Sequence, residues 1–428
     1  MNPIKSIKSI KSIKPIKFIN PLFPKKILSS ALFTSFFLYT CSTFASAHPI
    51  SPDIFNGYFA RDFSQSIAQG SEQNHIQSLL QILSTYPEDQ EPPMMIGVKG
   101  EFDSAWSDNT NFTYVPPFNG YNNPGNTATR TWVDKIRIPL MANYHSWWHA
   151  EIQSQAKGND VSVLDGAIIY GDFNQSPLYY YLGKQYIDFA PFYTFIPYND
   201  PLNKAYFRPL VHDVALAGFY NQDVFSTLSI FKTNSTNNNN GSGPQINNFA
   251  YQFIYDFNKN KNTDFKLGAS YLSNINKDSA GLENLSGSNN TQLPAADLNA
   301  YLSFNAWTAL AEYDTTTKSV LNINHQKTKI SAYDLELAYN YAWLKPSTFS
   351  LGYSWTHGLN GVDGAGLNNT SQPWLGNSGM FSSSVAMMLE KNFWLSFEYD
   401  RVGQYTELAV NSPTKYYSIG TCDVVWFF

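Results

Sequence analysis

From residue 94 onward, sixteen stretches of this chain alternate apolar and polar side chains with a period of two. Their approximate limits are 94–106, 130–144, 147–157, 161–173, 178–190, 212–222, 224–233, 247–258, 263–275, 295–305, 307–317, 329–343, 347–358, 379–390, 393–405 and 416–428. That period belongs to strands with two unlike faces. Strands of this length cross a hydrocarbon layer when tilted. The gaps between the stretches test the division, because they were not used to draw it. Those after odd-numbered stretches include 107–129, 191–211, 234–246, 276–294, 318–328, 359–378 and 406–415, and only the gap after the third is short. Those after even-numbered stretches are all tight, for example Ser146, Asn174–Pro177, Asp223, Ala306 and Lys391-Asn392. Long outer loops alternating with short periplasmic turns mark a membrane barrel, and a soluble sandwich has no reason to show them. The expected fold is therefore all-β, a transmembrane antiparallel barrel of about 16 strands.

The parity of each stretch separates its faces. Phe249, Tyr251, Phe253, Tyr255 and Phe257 are expected to face lipid, with Gln252 and Asp256 inside. Tyr333, Leu335, Leu337, Tyr339 and Tyr341 alternate with Asp334, Glu336 and Asn340, and Phe349, Leu351, Tyr353 and Trp355 alternate with Ser350, Gly352, Ser354 and Thr356. A basic residue at the lipid midplane costs about 2–4 kcal/mol, so the charged positions belong inside. The lumen is then polar and water-filled. Composition agrees: aromatics reach 16% while charged residues are only 14%, well under the roughly 25% of soluble domains.

Both ends fit the same location. The final strand carries Val424, Trp426 and Phe428 on one face and Thr421 and Asp423 on the other. An aromatic ending of this kind resembles the C-terminal signature read by the barrel-assembly machinery, an expected partner alongside outer-membrane lipid. At the other end, Lys5, Lys8, Lys11, Lys14, Lys17, Lys25 and Lys26 precede an apolar run over 27–38 and then Ala45-Ser46-Ala47. This is the layout of a signal peptide over 1–47, cleaved after about Ala47. Cys41 is not a lipidation site on this reading, since Tyr39 and Thr40 stand where small residues are needed. Residues 48–92 have apolar positions Ile67, Ile76, Leu79, Leu80 and Leu83 at helical spacing and end in prolines, which reads as a periplasmic helix and linker before the barrel at 93–428. With seven of the 28 Lys+Arg and none of the 33 Asp+Glu in the leader, the remainder holds 21 basic and 33 acidic residues, a formal −12. That balance excludes a nucleic-acid partner. Only Cys422 remains after cleavage, so no intrachain disulfide can form.

Sixteen strands leave an aqueous channel, and the segment before the barrel is too short for a separate plug domain. Inward parity gives a mostly acidic lumen, Glu101, Asp103, Glu151, Asp165, Asp256, Asp297, Glu312, Asp314, Asp334, Glu336, Glu398 and Asp400, with Lys135, Arg137 and Lys266 as its bases. One reading is a solvated wall whose charges tune ion selectivity. The other is a site for an anion made by Lys135, Arg137 and an Arg from a folded-in loop. The third outer loop, 191–209, is the candidate donor, being too aromatic and proline-rich for a solvated loop, and it would bring Tyr193, Tyr198, Lys204 and Arg208 to the passage.

Several motifs, in order, then resemble one family. Gly183-Lys184-Gln185-Tyr186, Asp188–Phe192, Asp200-Pro201-Leu202, Lys266–Ile275, Leu293–Leu298, Ala309–Tyr313 and Ser331–Tyr339 are similar to the LbtU-type siderophore porins, over roughly 165–428. The resemblance implies a plug-free outer-membrane barrel of a Gram-negative bacterium that takes up ferric siderophore without TonB coupling. It adds Lys184 to the candidate ligand or pore-lining set of Lys135, Arg137, Tyr193, Tyr198, Lys204, Arg208, Glu312, Asp334 and Glu336. Members of that family usually have a longer N-terminal coiled coil, and here no Gly follows Pro191-Phe192. A general porin, or one handling anions, sugars or other small solutes, stays open beside this reading, as does a surface barrel without transport. No cofactor, metal site or enzyme is expected. His145 and His149 fall on either side of a turn, which denies them helical zinc-binding geometry.

Overall fold

The computed structural model describes residues 75–85, 94–107, 128–221, 223–232, 246–257, 263–276, 279, 282, 292–322, 324–342, 345–360, 362, 377–390, 392–404 and 416–427. The expected leader with its cleavage site, and Phe428, lie outside these residues. Among the described residues there are two helices, α1 (His75–Thr85) and α2 (Leu202–Phe207). The strands are β1 (Met94–Ile96), β2 (Lys99–Ser107), β3 (Ala128–Tyr144), β4 (Trp148–Lys157), β5 (Asp160–Tyr170), β6 (Leu178–Tyr186), β7 (Val211–Tyr220), β8 (Val224–Phe231), β9 (Asn248–Asp256), β10 (Thr263–Leu272), β11 (Ala295–Phe304), β12 (Trp307–Thr316), β13 (Val320–Leu321), β14 (Lys327–Thr328), β15 (Ser331–Ala342), β16 (Pro346–His357), β17 (Ser378–Glu390), β18 (Phe393–Gln404) and β19 (Tyr416–Phe427). Among the described residues no helix is long and apolar enough to cross a membrane.

Each long strand pairs antiparallel with the next, β12 pairs with β15, and β19 pairs with β2, which closes a ring of sixteen. Every expected stretch corresponds to one ring strand. Two stretches differ in pattern. At 94–106 β1 is separate and pairs with the end of β3 (Met94↔Ala142, Ile96↔Leu140), while the ring strand starts at Lys99, and at 178–190 the ring strand ends at Tyr186. The short β13–β14 hairpin decorates a long loop.

The outer face is apolar because alternate residues of every strand meet lipid. Leu335, Leu337, Phe349, Leu351 and Tyr353 are exposed, while Asp334, Glu336, Ser350 and Ser354 between them are buried. Aromatic rings cluster at two heights. Toward the short turns, Trp307 packs on Tyr339 at 4.6 Å and Trp148 on Tyr170 at 4.8 Å. Toward the long loops, Tyr313, Tyr333 and Trp355 form a stack with 4.6 Å between neighbours. Two such belts are where amphipathic rings sit at the two interfaces of a bilayer.

The ring closes where β19 meets β2. Trp426 lies opposite Gly100, and a Cβ on Gly100 would stand 2.2 Å from the indole, so any larger residue here would push the ring out of its place on the seam.

Candidate functional site

Two elements occupy the interior. The first is the segment 187–210 between β6 and β7, the third long-loop connection of the ring after 108–127 and the tight 158–159. The chain turns inward at Phe189-Ala190-Pro191-Phe192, where Ala190 and Phe192 both take positive φ (56° and 44°). Phe189, Ala190 and Phe192 are fully buried. From there it crosses the lumen. β6 and β7 are the fifth and sixth strands of the ring counted from β2, and β15, β16 and β17 are the twelfth to fourteenth, which puts them on the opposite wall.

That opposite wall is acidic, and the loop docks on it donor by donor. Thr194 Oγ1 donates to Glu336 Oε1 at 2.7 Å, and the Phe195 N–H donates to the other carboxylate oxygen. Glu398 on β18 accepts from the N–H groups of Tyr198 (2.7 Å) and Asn199 (2.9 Å), and the Asn199 amide donates to Asp400. Asn203 of α2 donates to Glu312 on β12 at 2.8 Å, and the Leu202 N–H donates to Ser354 Oγ on β16 at 3.1 Å. Backbone N–H groups of an irregular segment need acceptors once water is excluded. Carboxylates supply them through charge-assisted bonds about twice as strong as neutral ones. On the outside, Ser279 Oγ donates to the Tyr206 carbonyl at 2.9 Å, and Pro209 bridges to Ser279, so a second loop packs over the first. Burial pushes the Tyr206 phenol up to about 12.

The second interior element is α1. Its apolar residues Ile76, Leu79, Leu80, Ile82 and Leu83 are buried. Gln77 Oε1 accepts from the Tyr193 hydroxyl at 3.1 Å, and Tyr220, an inward residue at the short-turn end of β7, packs against the same apolar cluster. The helix therefore stands inside the wall rather than below it, where the sequence reading placed a periplasmic helix. The physical reason lies in its neighbours. The inward positions of β5 to β9 include Ile169, Tyr179, Tyr181, Val214, Leu216, Phe225, Phe231 and Ile254, all buried in one apolar cluster with the helix. A uniformly polar lumen therefore does not describe this side of the ring, where inward polar residues such as Asp165, Gln185 and Gln252 stand beside the apolar cluster.

The expected site residues divide accordingly. Glu312 and Glu336 line the inner wall and anchor the loop, and Asp334 stands inward beside them, opposite Glu312 in the strand register. Tyr193 and Tyr198 lie on the crossing loop, Tyr193 beside Tyr301 and Tyr198 edge-on to Trp132 at 6.2 Å. Lys204 and Arg208 are also on the loop but are held by Asp200, at 2.6 and 3.5 Å, with the Arg208 guanidinium over the Tyr186 ring. Lys135 is paired with Glu101 at 2.7 Å and Asp134 at 3.2 Å, and Arg137 Nε donates to Gln155 at 2.9 Å. The bases expected to gather around one anion are thus committed to separate sets of partners on β2–β4 and on the loop. Lys184 does not line the pore. It is exposed on the outer face, donating to the Val163 carbonyl at 2.9 Å, on the same parity as Leu178, Tyr180 and Leu182. Residues not in the candidate set, Glu398, Asp400, Ser354 and Asn203, carry much of the docking. Parity alone marks the first three as inward, and nothing in the sequence pairs them with the loop.

Neither a family model nor a curated protein sequence matches this chain. Solved structures do. It is similar to an anion-selective porin from Comamonas acidovorans (TM-score 0.50, 8% identity, covering 78% of this chain and 99% of that one). It is also similar to the Salmonella typhi OmpF complex with daunomycin (0.50, 11%, 78% and 97%) and to the outer membrane channel DcaP of Acinetobacter baumannii (0.50, 9%, 78% and 97%). At such identities the likeness is one of fold, that of the outer-membrane porin barrel. It does not reach the siderophore-porin family that the motifs resemble.

Proposed function

We propose that this chain is an outer-membrane diffusion channel for small solutes whose bore is set by the crossing loop 187–210. The observation that carries the proposal is the fixing of that loop, entering from β6, to Glu312, Glu336, Glu398 and Asp400 on the opposite wall. A loop pinned across a closed, lipid-facing ring narrows the bore without sealing the wall. Support also comes from the neighbours, whose names call them porins or channels. The inner face holds more acids than bases, and most of its bases are ion-paired, which favours cations and neutral solutes over free anions. The barrel, purified and placed in a planar bilayer, is expected to give stepwise conductance. In a KCl gradient its reversal potential should have the sign for cation preference. Folded protein that gives no steps would sink the channel reading, and an anion-preferring potential would overturn the selectivity.

A narrower reading makes ferric siderophore the cargo. What favours it is that the motifs resembling siderophore porins fall on the loop (Asp188–Phe192, Asp200–Leu202) and on strands it docks against (Ala309–Tyr313 in β12, Ser331–Tyr339 in β15). Uptake of radiolabelled iron, supplied as the native siderophore to cells with and without the gene, tests it. Saturable, gene-dependent uptake supports this cargo, and unchanged uptake removes it while leaving the channel.

A further inference from the structure

The crossing loop bounds the bore on one side, and α1 has the make-up of a second boundary. By helical period its residues 76–84 sort into two stripes. Ile76, Leu79, Leu80 and Leu83 form the first, flanked by Ile82, and all five are buried in the apolar cluster that includes inward residues of β5 to β9. Gln77, Ser78, Gln81 and Ser84 form the second, with Gln81 exposed and the other three half-buried. Inside a closed ring, an exposed polar side chain faces the water of the bore. No residue from Ile76 to Ser84 carries a charge, in contrast to the acids of the wall on β11 to β18.

The residues of the polar stripe hold different things. Gln77 Oε1 accepts from the Tyr193 hydroxyl at 3.1 Å. Tyr193 follows the turn residue Phe192 (φ 44°) and opens the crossing. Its ring lies 6.1 Å from that of Tyr301 on β11, which Phe195 also approaches, at 6.3 Å. The start of the crossing is thus held from the helix and from the wall at once. Ser84 Oγ donates to the Gln81 carbonyl at 2.9 Å and is satisfied within the helix. The Gln81 side chain makes no hydrogen bond to the described residues, which leaves its donors and its acceptor to water and to whatever passes.

We propose that α1 is the second jaw of the constriction, with Gln81 lining the bore and meeting the solute, and Gln77 positioning the crossing loop through Tyr193. A primary amide offers donors and an acceptor without charge. This jaw therefore suits the polar, uncharged groups of a solute and leaves selection by charge to the acidic wall. The proposal rests on the channel reading and adds a named second side to the opening that the loop narrows.

The test is thiol modification in planar bilayers. Gln81→Cys, treated with a positively charged methanethiosulfonate, is expected to be fully modified by mass. Its single-channel conductance in KCl should then fall by about half, because a fixed positive charge in a cation-preferring bore repels the carriers. The wild type is the control, since Cys422 lies between the inward Thr421 and Asp423 and so faces away from the bore. Resistance of Gln81→Cys to the reagent, or full modification with unchanged conductance, overturns the jaw and leaves the channel standing. Absence of steps in the untreated wild type would sink the channel reading and the jaw with it. For the positioning role, Gln77→Ala should raise open-state current noise roughly twofold, as a loop that has lost a tether samples more positions. Gln77→Glu keeps an acceptor for the Tyr193 hydroxyl and should restore wild-type noise. Unchanged noise in Gln77→Ala overturns that role, and if this variant does not refold, Tyr193→Phe removes the same bond from the loop side and decides in its place.

Discussion

The two halves of the inner wall hold their contents by different physics. On β5 to β9 a patch of the inward residues is apolar, and α1 is held there by packing of Leu79, Leu80 and Leu83 into that surface. Asp165, Gln185, His212 and Gln252 also point inward on these strands. On β11 to β18 the inward residues are acids and hydroxyls, and the loop is held by directed bonds to Glu312, Glu336, Glu398 and Ser354. Packing is short-ranged and indifferent to salt. Charge-assisted bonds name their partners and fail when one partner is removed. The difference teaches that a barrel can be filled on one side as a soluble core is filled while keeping a polar surface on the other.

Substitutions can break this contrast, and the largest effect is expected on the apolar side. Leu79→Ala or Leu80→Ala should cost about 2–5 kcal/mol, as for other fully buried leucines. The cost would appear as a lower temperature for the folded-to-unfolded mobility shift in gel electrophoresis, unchanged between low and high salt. On the acidic side, Glu398→Ala leaves the N–H groups of Tyr198 and Asn199 without their acceptor. That should weaken loop docking by about 3 kcal/mol and raise single-channel conductance, because it is the loop and not the wall that yields. A conductance equal to wild type would mean that the loop does not limit the bore. Ser354→Ala removes the acceptor of one buried N–H, that of Leu202. About 1 kcal/mol is expected, seen as faster hydrogen exchange at that amide. The smallest effect tests the turn into the lumen. Ala190→Gly relieves a left-handed residue, a gain of about 1–2 kcal/mol offset by about 0.5–1 kcal/mol of glycine flexibility, so melting should rise by a degree or two at most.

The barrel was legible in the sequence because a lipid-facing strand must alternate, and Tyr333 to Tyr341 or Phe349 to Trp355 do so without interruption. Parity also identifies most acids of the inner wall, from Glu101 to Asp400, but not Asp134, which a bulge in β3 turns inward beside Lys135. It would have placed Lys184 outside, since Tyr180 and Leu182 share its parity; reading that stretch as a motif rather than as a strand concealed this. The burial of α1 was harder to see. An apolar stripe on a short helix fits a coiled coil as well as a barrel interior, and only its partner decides. The partner's signal was present in Tyr179, Tyr181, Val214, Leu216 and Phe225, apolar residues at inward positions where a water-filled lumen would carry polar ones. The docking of the loop was half legible. Its aromatic and proline content announces packing, but backbone N–H donors meeting Glu336 and Glu398 are pairings between distant segments that no local pattern encodes.

The seam at Gly100 and Trp426 has a consequence for the order in which this molecule is made. It joins the first ring strand to the last, with the fourteen other ring strands between them, so no closed ring can exist until the last of these strands has been made. Entropy is not the main obstacle, since each doubling of a loop adds only about 0.6 kcal/mol to the cost of joining its ends. The obstacle is exposure, because an open sheet has two bare edges and an unsealed interior until those strands meet. α1 precedes β2 in the chain and the crossing loop lies midway along it, so both are already made when the last strand arrives. Closure then captures them: the interior is packed as the ring is sealed, and the last strand acts as a clasp around cargo already in place.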